Sequence, residues 1–101
     1  MGVTTKLDSN TGTLHIEVSG RFDFGVHQQF RDATNLTDDK INVIEVNLAQ
    51  TDYLDSSALG MLLVLRDRLG ENRNAVRIKN AKPEVRKILE IANFDKLFTL
   101  V

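Results

Sequence analysis

The sequence predicts an α/β domain: a mixed sheet of four to five strands, with about three helices packed mainly on one face. Three observations carry that expectation. In the first third, Leu14, Ile16 and Val18 alternate with His15, Glu17 and Ser19, the period-two pattern of a half-buried strand. From Val26 the apolar period lengthens to three or four residues, with Phe30 and Ala33 on one side and Arg31 and Asp32 on the other. Strand-like and helix-like stretches then alternate to the end. The order β-β-α-β-α-β-α implies parallel pairs closed at one side by an amino-terminal hairpin. A chain of 101 residues holds one core and not two. Residues 1–101 are therefore expected to form a single domain, without linker, repeat or low-complexity segment.

The elements follow in order. Val3, Thr5 and Leu7 form a weaker alternating strand, joined to the next by the turn formers Asp8-Ser9-Asn10-Thr11-Gly12. Gly20 is expected to break the second strand. A short helix should run from about Gly25 to the polar stretch Thr37-Asp38-Asp39-Lys40. Residues 41–48, INVIEVNL, are β-branched and apolar on both parities near the middle, the pattern of a strand buried on both faces. Asp55-Ser56-Ser57 offers three helix-capping residues before an apolar stretch in which Ala58, Met61, Leu62, Leu65 and Leu69 share one face. Gly70 is placed to stop that helix. Ala75 to Lys79 reads as a short strand. Pro83 suits a first helical turn, and Val85, Ile88, Leu89 and Ala92 make an inward face. Asn93 suits the left-handed closing position, with Phe94 packing back. Leu97 to Val101 ends the chain as a short apolar segment.

Composition narrows the function. The chain is 42% hydrophobic, which argues against disorder. Thirteen basic residues against fourteen acidic leave a net charge of −1, giving no electrostatic reason for a nucleic acid or an anionic membrane as partner. Without cysteine, disulfides, thiolate chemistry and cysteine zinc sites are excluded. No apolar run approaches the roughly 20 residues of a membrane span. The amino end, MGVTTKLDSN, lacks the apolar stretch of a secretory signal, and Lys6 occupies the hydroxyl position of the myristoylation pattern. A soluble cytoplasmic domain is expected.

The informative segment is Thr51 to Gly60, TDYLDSSALG, which joins the third strand to the second helix. Its hydroxyls therefore fall at a helix amino end, where unpaired N–H groups and the helix dipole stabilise an anion by about 0.3–1 kcal/mol. A serine there can serve as an N-cap, stabilising the helix by about 1 kcal/mol. The alternative is a hydroxyl presented for phosphorylation, the helix end tolerating an added charge of about −1.5 to −2.

The segment LDSSALGMLL resembles the Asp-Ser-Ser/Thr-Ala/Gly-Leu-Gly signature of STAS domains, in particular bacterial anti-anti-sigma factors (anti-sigma factor antagonists). Gly20-Arg21-Phe22-Asp23 resembles the family's Gly-x-Leu/Phe-Asp after its second strand, and Val46-Asn47-Leu48 the strand before the signature. Pro83-Glu84-Val85 through Leu89 resembles the third helix, and Phe94 to Phe98 the segment after it. The details RFDFGVHQQFRD, YLDSSALGMLL and PEVRKILEIANF look most similar to the branch called HptB-dependent secretion and biofilm anti-anti-sigma factors. The family often has glycine where Ala58 stands, and many members continue into a fourth helix beyond the position of Val101.

The resemblance implies the STAS fold and a partner switch. The unmodified domain would bind an anti-sigma factor or serine kinase of kinase-type fold and so release a sigma factor. Phosphorylation of Ser56, directly after the signature Asp55, would end binding, and a PP2C-type phosphatase would restore it. Ser57 matches the second hydroxyl position, and Asp23 a position beside the phosphosite. The same resemblance admits an adaptor that engages a diguanylate cyclase, or a transporter-associated module without phosphorylation. No cofactor is implied.

An enzyme is the rival class. A nucleophilic Ser56 or Ser57 would need His15 or His27 and an aspartate. The nucleophile-elbow glycines are absent, as are phosphate-loop and dinucleotide motifs. Both histidines read as solvated surface residues, and Asp38-Asp39 as a solvated loop. Lys79, Lys82, Arg86 and Lys87 read as a solvated basic face. Apart from its inward stripe, the second helix carries Leu59, Leu63 and Val64, which are candidates for a partner surface running on from Ser56.

Overall fold

The computed structural model describes residues 2–34, 41–68 and 75–101. Strand β1 (Gly2–Asp8) pairs antiparallel with β2 (Thr13–Phe22) through a tight turn, in register from Gly2 opposite Ser19 to Asp8 opposite Thr13. A 3-10 turn (Phe24–Val26) leads into α1 (His27–Thr34). Strand β3 (Val43–Asn47) lies parallel to the first half of β2, and β4 (Thr51–Leu54) to its end. Then come α2 (Ser56–Arg68), β5 (Val76–Lys79), α3 (Pro83–Ile91), a second 3-10 turn (Phe94–Lys96) and β6 (Thr99–Leu100). The six-stranded mixed sheet runs β1-β2-β3-β5-β6, with β4 attached to β2.

One sheet face meets the helices. Leu14, Ile16 and Val18 of β2, Ile44 and Val46 of β3, and Val76 and Ile78 of β5 are buried in one cluster. Against them pack Phe30 of α1, Ala58, Leu62 and Leu65 of α2, and Val85 and Leu89 of α3. The opposite face is polar. His15, Glu45 and Arg77 are neighbours in one cross-strand row. The Glu45 carboxylate lies 3.3 Å from His15 Nδ1, 3.3 Å from Arg77 Nη1 and 3.9 Å from Lys79 Nζ. This corrects the expectation of a third strand buried on both faces. Val43 and Asn47 are half-buried, and Glu45 tolerates its position because Arg77, Lys79 and the His15 ring lie beside its carboxylate. His15 likewise has a carboxylate partner rather than water alone.

Two further expectations are corrected at β2. Gly20 does not end the strand. It takes a positive φ of 80°, and the register shifts between Gly20 and Arg21. Such a bulge swings the strand, so its last residues leave β1 and pair with a strand the sequence did not announce, β4. Thr51 locks that junction. Its fully buried hydroxyl donates to the Val18 carbonyl at 2.7 Å, and the Gly20 amide donates to the Gln50 carbonyl at 2.9 Å. Thr51→Val keeps the volume and removes the donor, so it should lower stability by about 1–3 kcal/mol. Urea unfolding checks this, the midpoint falling at unchanged slope.

The carboxy-terminal third follows the sequence closely. Pro83 opens α3 after the extended Lys82, and Asn93 closes it in the left-handed region at φ 62°. Phe94 then turns inward, its ring centroid 5.1 Å from that of Phe98. At the other end of the sheet, Gln29 of α1 reaches the β1 edge, its Oε1 accepting from the Val3 amide at 3.1 Å. The expected end of the first helix at residues 37–40, the Asp38-Asp39 loop, the inward Leu69 and the Gly70 stop lie outside the described residues.

Candidate functional site

Parallel pairing of β2 with β4 brings two aspartates together. Phe22 stands opposite Leu54, and the Asp55 amide donates to the Phe22 carbonyl at 3.4 Å. Asp23 and Asp55 are the next residue of each strand, so they emerge side by side at the carboxyl end of the pair. Each carboxylate is tied to a backbone amide. Asp23 Oδ1 accepts from Gly25 N at 2.9 Å and opens the 3-10 turn, while its Oδ2 lies 3.3 Å from Arg21 Nε. The Arg21 guanidinium sits 4.4 Å above the centre of the Tyr53 ring, bridging β2 and β4.

Asp55 Oδ1 accepts from Ala58 N at 3.0 Å. Asp55 is therefore the N-cap of α2, satisfying one of the amides a helix leaves open at its start. Of the three capping candidates in the sequence, the aspartate takes the role, and Ser56 and Ser57 become the first two helical residues. Ser56 is exposed and Ser57 half-buried. The Ser56 hydroxyl is thus spared from capping and stands at the positive end of a 13-residue helix, next to Asp55.

The proposed partner residues part company along α2. Leu59 is half-buried and packs against the core. Leu63 is 37% exposed and Val64 60% exposed. At about 100° per residue, Leu63 lies on the same side as Leu59 and Arg66, whereas Val64 lies toward α1. Arg66 Nε donates to the Leu97 carbonyl at 3.1 Å, which places that first side against the carboxy-terminal turn. The three residues do not form one continuous strip.

Val64 instead borders a groove of ≈ 560 Å³ between α1 and α2. Phe30, Met61 and Leu65 form its floor, and Ser57, Gly60 and Val64 follow each other along its α2 wall. At its mouth Phe24, 68% exposed, stacks on His27 with ring centroids 5.0 Å apart and planes 13° from parallel. His27, half-buried at the surface, is therefore part of a groove wall. The groove escaped sequence reading because its two walls come from separate helices. Phe24, an apolar residue directly after Asp23 and outside the helical stripe, was the available signal. Of the basic residues around α3, Lys82 pairs with Asp52, Arg86 with Glu90 at 3.5 Å, and Lys79 faces Glu45. Among the described residues no group of three or more His, Cys, Asp or Glu side chains is arranged to hold a metal ion, and no helix is long and apolar enough to cross a membrane.

The family model of the STAS domain matches residues 4–101. The chain belongs to the STAS domain family. A STAS-domain containing protein of Pseudomonas aeruginosa (strain UCBPP-PA14) is 46% identical over 100 residues, covering 99% of each chain. Among solved structures, this STAS domain resembles the unphosphorylated anti-sigma factor antagonist SpoIIAA at 19% identity, with a TM-score of 0.75 over 98% of this chain and 86% of that one. The phosphorylated form of SpoIIAA from Bacillus superposes with a TM-score of 0.70 at 19% identity, over 97% and 91% of the two chains. An anti-sigma factor antagonist from Mycobacterium paratuberculosis gives 0.79 at 22% identity, over 97% and 84%. At such identities these structures share the STAS fold, a mixed sheet with helices, which is the fold class expected from the sequence.

Proposed function

We propose that this STAS domain is an anti-sigma factor antagonist of the HptB-dependent kind. Its unphosphorylated form binds an anti-sigma factor or serine kinase of kinase-type fold and releases a sigma factor. Phosphorylation of Ser56 ends that binding, and a PP2C-type phosphatase restores it. The domain itself performs no catalysis. The observation that carries the reading is the capping of α2 by Asp55 rather than by Ser56. A hydroxyl that caps its own helix would have to abandon that bond on modification, whereas Ser56 is exposed at the helix start and has no such duty. The helix end accommodates the new charge. Likeness to SpoIIAA in both its unphosphorylated and its phosphorylated forms supports a fold that keeps its shape through the change. A phosphate of about −1.5 to −2 charge beside Asp55 and Asp23 then confronts any acidic or apolar partner with a dense negative patch.

Wild type, Ser56→Ala and Ser56→Asp serve as baits in cell lysate, and the captured kinase is then incubated with the domain and ATP. Phosphate should map to Ser56 by mass spectrometry. Ser56→Asp should stay folded, changing stability by no more than about 0.5 kcal/mol, yet bind at least tenfold less tightly, about 1.4 kcal/mol. Phosphate mainly on Ser57, or undiminished labelling of Ser56→Ala, would refute the assignment. A diguanylate cyclase in place of the kinase-fold partner would convert the reading to that of an adaptor.

A further inference from the structure

Gly60 is a helix-interior residue for which the other described residues offer no reason. Among the described residues a Cβ built there meets nothing within 4 Å, and its φ is not in the positive region that demands glycine. Glycine weakens a helix relative to alanine, so the described fold gains nothing from it. The remaining use of a missing side chain is the close approach of another backbone. Gly60 lies on the α2 wall of the groove, one turn after Ser56 and therefore beside it on the helix surface.

The groove's own chemistry says what approaches. Its floor is apolar, and Phe24 and Val64, 68% and 60% exposed, extend that apolar surface to the rim. The ionisable groups that line it are His27, Arg31 and Arg68, and among the described residues its lining holds no carboxylate. Arg68 also donates to the Thr34 carbonyl at 3.2 Å, which fixes it at the far end of the groove. We propose that the groove seats an acidic amphipathic helix of the partner protein, with apolar residues on the floor, carboxylates toward Arg31, and its backbone closest to α2 at Gly60. This rests on the reading of Ser56 as the switch, and it supplies the switch's target. A phosphate on Ser56 stands beside the point of closest approach and faces a segment of its own sign.

The test uses a displayed library of 16-residue peptides selected on the folded wild-type domain, the hits being titrated by calorimetry. Hits should carry apolar residues at helical spacing with Asp or Glu on the flanks. Gly60→Ala should raise the melting temperature, by about 2–6 °C, while weakening the peptides at least tenfold. Arg31→Glu should weaken them similarly, and Arg31→Lys should retain them. Hits that are basic or absent, peptide binding unchanged by Gly60→Ala, or a melting temperature lowered by that change would each overturn the proposal. A concentration-dependent dimer abolished by Gly60→Ala would overturn it in favour of a second copy as occupant. Peptides lost in Gly60→Ala yet undiminished in Ser56→Asp would leave the groove assignment standing and overturn the phosphorylation switch instead.

Discussion

Phe22→Ala should destabilise the domain by about 3–5 kcal/mol, the range for removing a buried aromatic ring. Against a total stability of about 5–15 kcal/mol for a native protein, that is a large share. Phe22 is fully buried at the end of β2, its ring centroid 5.1 Å from that of Phe30 in α1 and its backbone paired with β4. It therefore joins three elements at one point, immediately before Asp23. Loss of the ring should loosen α1 and the Asp23 turn together. Denaturant unfolding reads the stability, and hydrogen exchange at the Gly25 and Ala58 amides reads the local loosening. A loss below about 1 kcal/mol would mean that α1 and the strand ends repack independently, and the aspartate pair would then have some other support.

Leu62→Ala should cost about 2–5 kcal/mol, because the side chain is fully buried between α2 and the sheet. Val64→Thr, two residues away, should change stability by no more than about 0.5 kcal/mol, since Val64 is 60% exposed. The order reverses for partner binding, where Val64→Thr should cost about 1–3 kcal/mol, the scale of an interface anchor. Leu63→Gln is intermediate in exposure and lies away from the groove, so it should affect neither quantity by much. Parallel thermal melts and titrations on the four proteins separate the effects. Equal destabilisation by Leu62→Ala and Val64→Thr would make the α1-facing side of α2 part of the core and move the binding face to the loops around Asp23 and Ser56.

Elements whose burial is one-sided were legible in the sequence, and those whose existence depends on a distant partner were not. Leu14, Ile16 and Val18 alternate cleanly because β2 has one covered face, and Pro83 and Asn93 bracket α3 by local backbone preference alone. Strand β4 has a buried residue at each end, Thr51 and Leu54, and two exposed ones between, a three-residue spacing that lacks the alternation of a strand. It exists because the bulge at Gly20 frees the end of β2 to pair with it. The third strand misled for a different reason. Its apolar residues on both parities looked like two-sided burial, but Glu45 belongs to a charged row that only the sheet order assembles. At the candidate site, the Asp-Ser-Ser run offered three equivalent caps, and the choice among them is decided by the Asp55 backbone docking on Phe22.

The contact between Gln29 and the Val3 amide also bears on how the chain survives its own synthesis. A sheet edge with open amides recruits strands from other molecules, and a lysine such as Lys6 on the edge discourages this. Gln29 closes one of those amides, but only once α1 has docked. Any state in which the β1-β2 hairpin is formed and α1 is undocked leaves that amide bare. During synthesis and in partial unfolding alike, it is the docking of α1, not the formation of the hairpin, that shields this amide from a strand of another molecule.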